Sequence, residues 1–138
     1  MRKKLFLLSI LVILLIGSQV GCIVVATSVG AAGGIAGYRY VKEKLEITYN
    51  IPYDTVRQAI VRSLEKLAMV ITEYRYDGLE GIIKAKTKTD TPVEIHFKKI
   101  GKEATLVTIK VGIFGNKVKS LAIKEEIDRQ LGIKGGYL

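Results

Sequence analysis

The sequence predicts an α+β fold: a single antiparallel sheet of about five strands with two helices packed on one face, in the order β-α-β-β-β-β-α, behind a signal and lipid-anchor segment. Three observations predict it. Apolar and polar residues alternate with period two in several short runs, two other stretches repeat apolar residues at helical spacing, and the last four β-rich runs are joined by short turns that favour antiparallel neighbours. Of the 138 residues, roughly the first forty look unlike the rest, which leaves about a hundred to fold in water, enough for one domain. The chain divides accordingly into residues 1–21, 22–38 and 39–138.

The first segment has the anatomy of a signal peptide. Arg2, Lys3 and Lys4 form a positive end, Leu5 to Ile16 an apolar run broken only by Ser9, and Gly17 to Gly21 a region of small and polar residues before Cys22. The expectation is cleavage between Gly21 and Cys22 and lipidation of the Cys22 thiol, because a small residue at Gly21 lets a peptidase reach the bond. Gln19 departs from the aliphatic residue usual three positions before a lipidated cysteine. The alternative is one uncleaved anchor, since no charge occurs from Leu5 through Tyr38; the trio Gly17, Ser18 and Gln19 interrupts it where a cleavage region belongs. Two acyl chains suffice for stable attachment, at about 0.8 kcal/mol per buried CH₂. As the single cysteine, Cys22 has no partner for an intramolecular disulfide or a thiol pair. Ile23 after it, rather than Asp, favours the outer membrane, periplasmic face, over the inner.

Residues 23–37 are apolar and rich in Gly and Ala. Gly30 with Gly34, and Gly33 with Gly37, have the spacing that permits close helix contact in lipid, so the segment is either self-associating or a plain tether.

In the domain, Leu45, Ile47 and Tyr49 alternate with Glu46, Thr48 and Asn50, a strand with one buried face. Pro52 opens a helix on which Tyr53, Val56, Ile60, Leu64 and Leu67 form the apolar stripe. Four strands follow: Met69 to Tyr76, Gly81 to Thr87, Pro92 to Lys99 and Ala104 to Ile113. Asn116 caps a last helix with Val118, Leu121 or Ala122, Ile127 and Leu131 as its apolar positions, and Gly132 stops it. Phe114 is expected to pack where sheet hands over to helix, with Gly112 and Gly115 permitting the bend.

These landmarks resemble a family of small bacterial lipoproteins defined as a domain of unknown function. The likeness runs from Cys22 and its Gly/Ala stretch through Tyr40, Val41 and Lys42 to Pro52. It continues with Gly81, Ile82 and Ile83 after an acidic turn, then Val111, Gly112, Ile113, Phe114 and Gly115. Asn116 stands where that family would carry an acidic residue. The element order is also similar to helix-grip domains of outer-membrane assembly lipoproteins, a likeness of fold alone. Neither resemblance implies a catalytic residue.

The inventory for catalysis is poor. His96 is the one histidine and is expected on the solvent side of a strand; Glu125, Glu126 and Asp128 sit beside Lys124 and Arg129 and read as solvated helix charges. No metal, cofactor or enzymatic activity is expected. Arg2, Lys3 and Lys4 account for three of 22 basic residues, against 13 acidic ones, so the remainder is still basic and suits anionic partners. With seven tyrosines and no tryptophan, Tyr74 and Tyr76 are spaced to share a strand face. Inward-facing, they would be core. Outward-facing beside Lys84, Lys86, Lys98 and Lys110, they would form a partner-facing patch. The expected partners are the membrane, through lipid on Cys22, and another envelope protein or anionic headgroup, with no nucleic acid. The role that follows is a non-catalytic envelope binding or assembly module; the alternative is a structural lipoprotein driven by self-association of the Gly/Ala segment.

Overall fold

Alternation builds the sheet, and it builds one strand more than the sequence reading counted. The structure, a computed structural model, describes residues 2–17 and 34–133. The chain forms two compact units, Met1–Gly33 and Gly34–Leu138. In the first, the apolar run forms helix α1, Arg2–Gly17. No helix among the described residues is long and apolar enough to cross a membrane.

The second unit runs β1 (Ile35–Val41), β2 (Lys44–Tyr49), α2 (Tyr53–Lys66), β3 (Val70–Tyr76), β4 (Glu80–Lys86), β5 (Pro92–Gly101), β6 (Ala104–Val111) and α3 (Lys117–Gln130). The fold is α+β with one antiparallel sheet, but of six strands rather than five, and with α1 there are three described helices rather than two. The extra strand β1 includes residues 35–38, which the sequence reading gave to the tether. It was hidden because Lys42 and Glu43, with φ of 48° and 68°, make the two-residue turn to β2 without the Asn-Gly or Asp-Gly signature of such turns. Gly37 belongs to β1 and Gly34 to the turn before it. Both glycine pairs therefore lose their second member to the sheet unit, and neither can act as a spacing motif on one helix.

Strand order is β1-β2-β6-β5-β4-β3, with every neighbouring pair antiparallel. Helix α2 carries the chain from β2 to the far edge, and the meander β3 to β6 returns it to β2's side. Register puts Leu45 opposite Ile109, and Ile95 between Ile109 and Ile83, so four strands offer one continuous apolar face. Val56, Ala59, Ile60 and Leu64 of α2 and Ile123 and Ile127 of α3 close it.

Tyr53, Val56, Ile60 and Leu64 of the α2 stripe are buried where the sequence placed them, while Leu67 is the partly buried C-cap just past the helix, and the Asn116 side chain accepts a 3.0 Å hydrogen bond from the Lys119 backbone N–H to begin α3. Two readings of α3 need correction. Val118 is exposed, and the buried face is Ser120, Ile123, Lys124, Ile127 and Asp128 with Glu126. Lys124, Glu126 and Asp128 are thus not solvated helix charges. Phe114 is not packed at the handover; it is exposed. Gly115 is the reason: at φ 75° it lies so close to Glu43 and Tyr40 that a Cβ would collide with both, which seats the loop backbone against β1 and the turn that follows it, with the Phe114 ring outside.

Candidate functional site

The period of two that seals one face of the sheet exposes the other. Glu46, Thr48, Leu106, Thr108, Lys110, Glu94, His96, Lys98, Ile82, Lys84 and Lys86 alternate with the buried residues and face away from both helices. Lys44, Glu46, His96, Lys98, Leu106 and Thr108 are among the residues lining a shallow depression of about 740 Å³ across it.

Charges on this face are largely paired with one another. Arg39 Nε lies 2.8 Å from Glu46 Oε2, Lys84 Nζ 3.3 Å from Glu73, Lys86 Nζ 3.5 Å from Asp90 and Lys110 Nζ 3.8 Å from Glu43. Hydrogen bonds from Lys84 and Arg75 hold the Glu73 carboxyl below its ordinary pKa. His96 Nε2 is 2.5 Å from Glu94 Oε1, a contact that lowers the Glu94 pKa against the opposing effect of its partial burial.

Tyr74 and Tyr76 lie elsewhere. They pair with Ile83 and Gly81, which puts them on the helix side of the edge strand β3, while the four lysines occupy the opposite face. The aromatic and basic residues therefore do not form one patch. The two rings stack with centroids 5.0 Å apart. From α2, Arg57 donates a 2.7 Å hydrogen bond to the Tyr74 hydroxyl and lays its guanidinium 4.4 Å from the Tyr76 ring centroid, an attraction to the negative face of the ring. The Tyr74 hydrogen bond raises the Arg57 pKa further. Nearby, the Tyr53 hydroxyl donates to the Asp77 carbonyl at 2.8 Å, and burial, reinforced by Asp77, pushes its pKa up to about 12. This cluster ties α2 to the sheet edge, where the exposed sides of Tyr74 and Tyr76 also remain open to solvent.

One polar constellation was missed. Asp128 Oδ1 accepts a 2.7 Å bond from Tyr49 and Oδ2 a 2.7 Å bond from Lys124, with Lys124 and Asp128 side chains 2% and 1% exposed. Lys124 also sits 4.6 Å from the Tyr38 ring centroid. The available signal was the four-residue spacing of Ser120, Lys124 and Asp128 beside the Ile123 and Ile127 stripe. So dry a network fixes how α3 sits on β2.

Gly21, Cys22 and the segment to residue 33 lie outside the described residues. Among the described residues no three of His, Cys, Asp and Glu gather to hold a metal ion, and the hydrogen bond of His96 runs to Glu94 rather than to a hydroxyl or thiol that it could activate. No match was found among curated proteins. A family model described as a protein of unknown function, DUF3568, matches residues 4–130. Since that match takes in α1, all six strands and α3, the chain belongs to the DUF3568 family.

Proposed function

We propose that this protein is a lipoprotein of the cell envelope, held to a membrane by acyl chains on Cys22, whose α+β domain binds another envelope component and catalyses no reaction. One observation carries the reading: the positive trio Arg2, Lys3 and Lys4, the apolar run from Leu5 to Ile16, and then the small and polar residues that lead to Gly21 and the chain's single cysteine. Acyl chains at that position would hold the domain at the membrane surface. Ile23 favours the outer membrane as the destination.

The open sheet face supports the binding half of the proposal. This shallow surface carries several exposed ion pairs together with Lys44, Lys98, Thr48 and Thr108, polar groups that an envelope protein or an anionic headgroup can meet.

Intact mass spectrometry of the membrane-extracted protein tests the anchor. The expected species begins at Cys22 and carries acyl mass, and Cys22→Ser leaves a full-length precursor that takes up no radioactive palmitate. Mature molecules that start at Met1 with a free thiol would overturn the proposal. The binding half is tested by crosslinking the anchored protein in intact cells through Lys98 and Lys84; capture of the same envelope component by wild type and its loss on Thr108→Arg is expected, while an unchanged pattern would refute docking on this face.

A further inference from the structure

One rim of the sheet gathers exposed apolar side chains and lysines that the family match does not explain. Val70 pairs with Lys86, Lys86 with Pro92, the Gly112 N–H donates to the Pro92 carbonyl at 2.8 Å, and Gly115 abuts Glu43. The β1–β2 turn, the β4–β5 turn and the loop from β6 to α3 therefore share this end. On it Ile113 is 74%, Phe114 82% and Val118 78% exposed, in a unit that buries its other phenylalanine, Phe97, completely.

The exposure is built in. Gly112 and Gly115, with φ of 77° and 75°, bracket Ile113 and Phe114, and Gly115 lies close against Glu43 and Tyr40, which pins the loop directly after the pair. Exposed apolar groups held this way mark a contact surface. The charge around them has one dominant sign: Lys42, Lys86, Lys88, Lys117 and Lys119 are all exposed, against Glu43 and Asp90. Lys117 and Lys119 lie at the start of α3, which has no acidic residue in its first turn, so they stand where the helix dipole disfavours cations.

We propose that this rim docks on an anionic phospholipid bilayer, with Ile113 and Phe114 entering the boundary between headgroups and acyl chains and the lysines meeting the phosphates. Apolar tips ringed by lysine have the chemistry of an interfacial contact, and each lysine near an anionic leaflet strengthens binding about fivefold. Apolar side chains this exposed, ringed by lysines, suit a soft anionic surface that deforms around them. Gly34, where the sheet unit begins, lies at the other end of β1 from the rim, about 20 Å away for a strand of this length. Docking does not require acylation of Cys22.

The chain has no tryptophan, so Phe114→Trp supplies a unique reporter in the membrane-extracted protein. It is reconstituted into phosphatidylcholine vesicles with and without phosphatidylglycerol. In the anionic vesicles the indole emission should shift to the blue and be quenched by brominated acyl chains, and high salt should reverse both. Adding Lys117→Gln and Lys119→Gln should lower the ratio of docked to undocked protein about fivefold per lysine, with far-UV circular dichroism unchanged. The N-terminal segment and any acyl chains are the same in both vesicle types, and the indole reports only on the surroundings of residue 114, so its shift and quenching read the rim. Equal, water-exposed emission in both would overturn the proposal, as would quenching indifferent to vesicle charge; a rim that instead bound only protein would give the first result. Acylation of the same sample is read separately by its mass, so failure of this docking and failure of the anchor are distinguishable.

Discussion

On the covered face of the sheet, Leu45, Ile47, Ile95, Phe97, Val107 and Ile109 are fully buried beneath α2 and α3; one residue along the same strands, Glu46, Thr48, Glu94, His96, Lys98, Leu106 and Thr108 meet water. Both faces share a backbone and a register, so the difference lies wholly in what the alternate side chains touch. Covered residues gain from many simultaneous contacts and removal from water, about 25 cal/mol per Å² of apolar area. The open residues exchange ion pairs in a high dielectric, where each is worth about 0 to 1 kcal/mol. The covered face thus holds the molecule together, and the open face is free to be used for contact.

The largest effects are expected where the covered face is cut. Phe97 touches Tyr53, ring centroids 5.4 Å apart, and fills the space that Gly81 leaves by having no Cβ. Phe97→Ala should cost about 3–5 kcal/mol in urea denaturation. Asp128→Ala, which removes the carboxylate that accepts from both Tyr49 and Lys124, should cost a similar 3–5 kcal/mol, whereas Tyr49→Phe removes the hydroxyl that donates to that carboxylate and should cost about 1.5–3 kcal/mol. If Asp128→Ala were as mild as Tyr49→Phe, the polar network would be incidental to the packing of α3.

Much of the covered face was legible in the sequence, because period-two alternation and a helical stripe are direct images of burial. Tyr53, Val56, Ile60 and Leu64 needed nothing beyond spacing, and Asn116 announced its own cap. What escaped depended on partners distant in the chain. Lys124 and Asp128 read as solvent charges because their burial is made by Tyr49, 79 residues from Asp128. β1 escaped because its turn uses Lys42 and Glu43 in a conformation that ordinarily selects Asn or Gly. Phe114 was misplaced because hydrophobicity alone does not show that Gly115 must press against Glu43. Tyr74 and Tyr76 were rightly given one common face, but which face was settled by the pairing of β3 with β4.

A middle-sized effect tests how the two helices are held over that face. Each ends with the same backbone device: Met69 N–H donates to the Leu64 carbonyl and Ala68 N–H to Glu65, and in α3 Ile133 N–H donates to Asp128 and Gly132 N–H to Arg129. This is the Schellman arrangement, whose penultimate residue takes a left-handed conformation. Gly132 adopts it at φ 74° without strain, but Ala68 adopts it at φ 55° with a Cβ. Ala68→Gly should therefore stabilise the protein by about 1 kcal/mol and Gly132→Ala destabilise it by about the same. Opposite signs in thermal denaturation are the check.

The smallest effect belongs to the open face, and it is best read by pH. Glu94 has its pKa lowered chiefly by the hydrogen bond with His96. A carboxyl whose folded pKa is depressed contributes stability above its unfolded value, ordinarily 4.5, and that contribution is lost as pH falls through the lower folded value. With side chains 50% and 40% exposed, the pair is screened by solvent, so His96→Ala should change stability at neutral pH by under about 0.5 kcal/mol while moving the Glu94 midpoint upward in a carboxyl NMR titration. A large loss of stability in that variant would mean that the open face carries packing energy of its own, and that the division of labour between the two faces is not the one drawn from their burial.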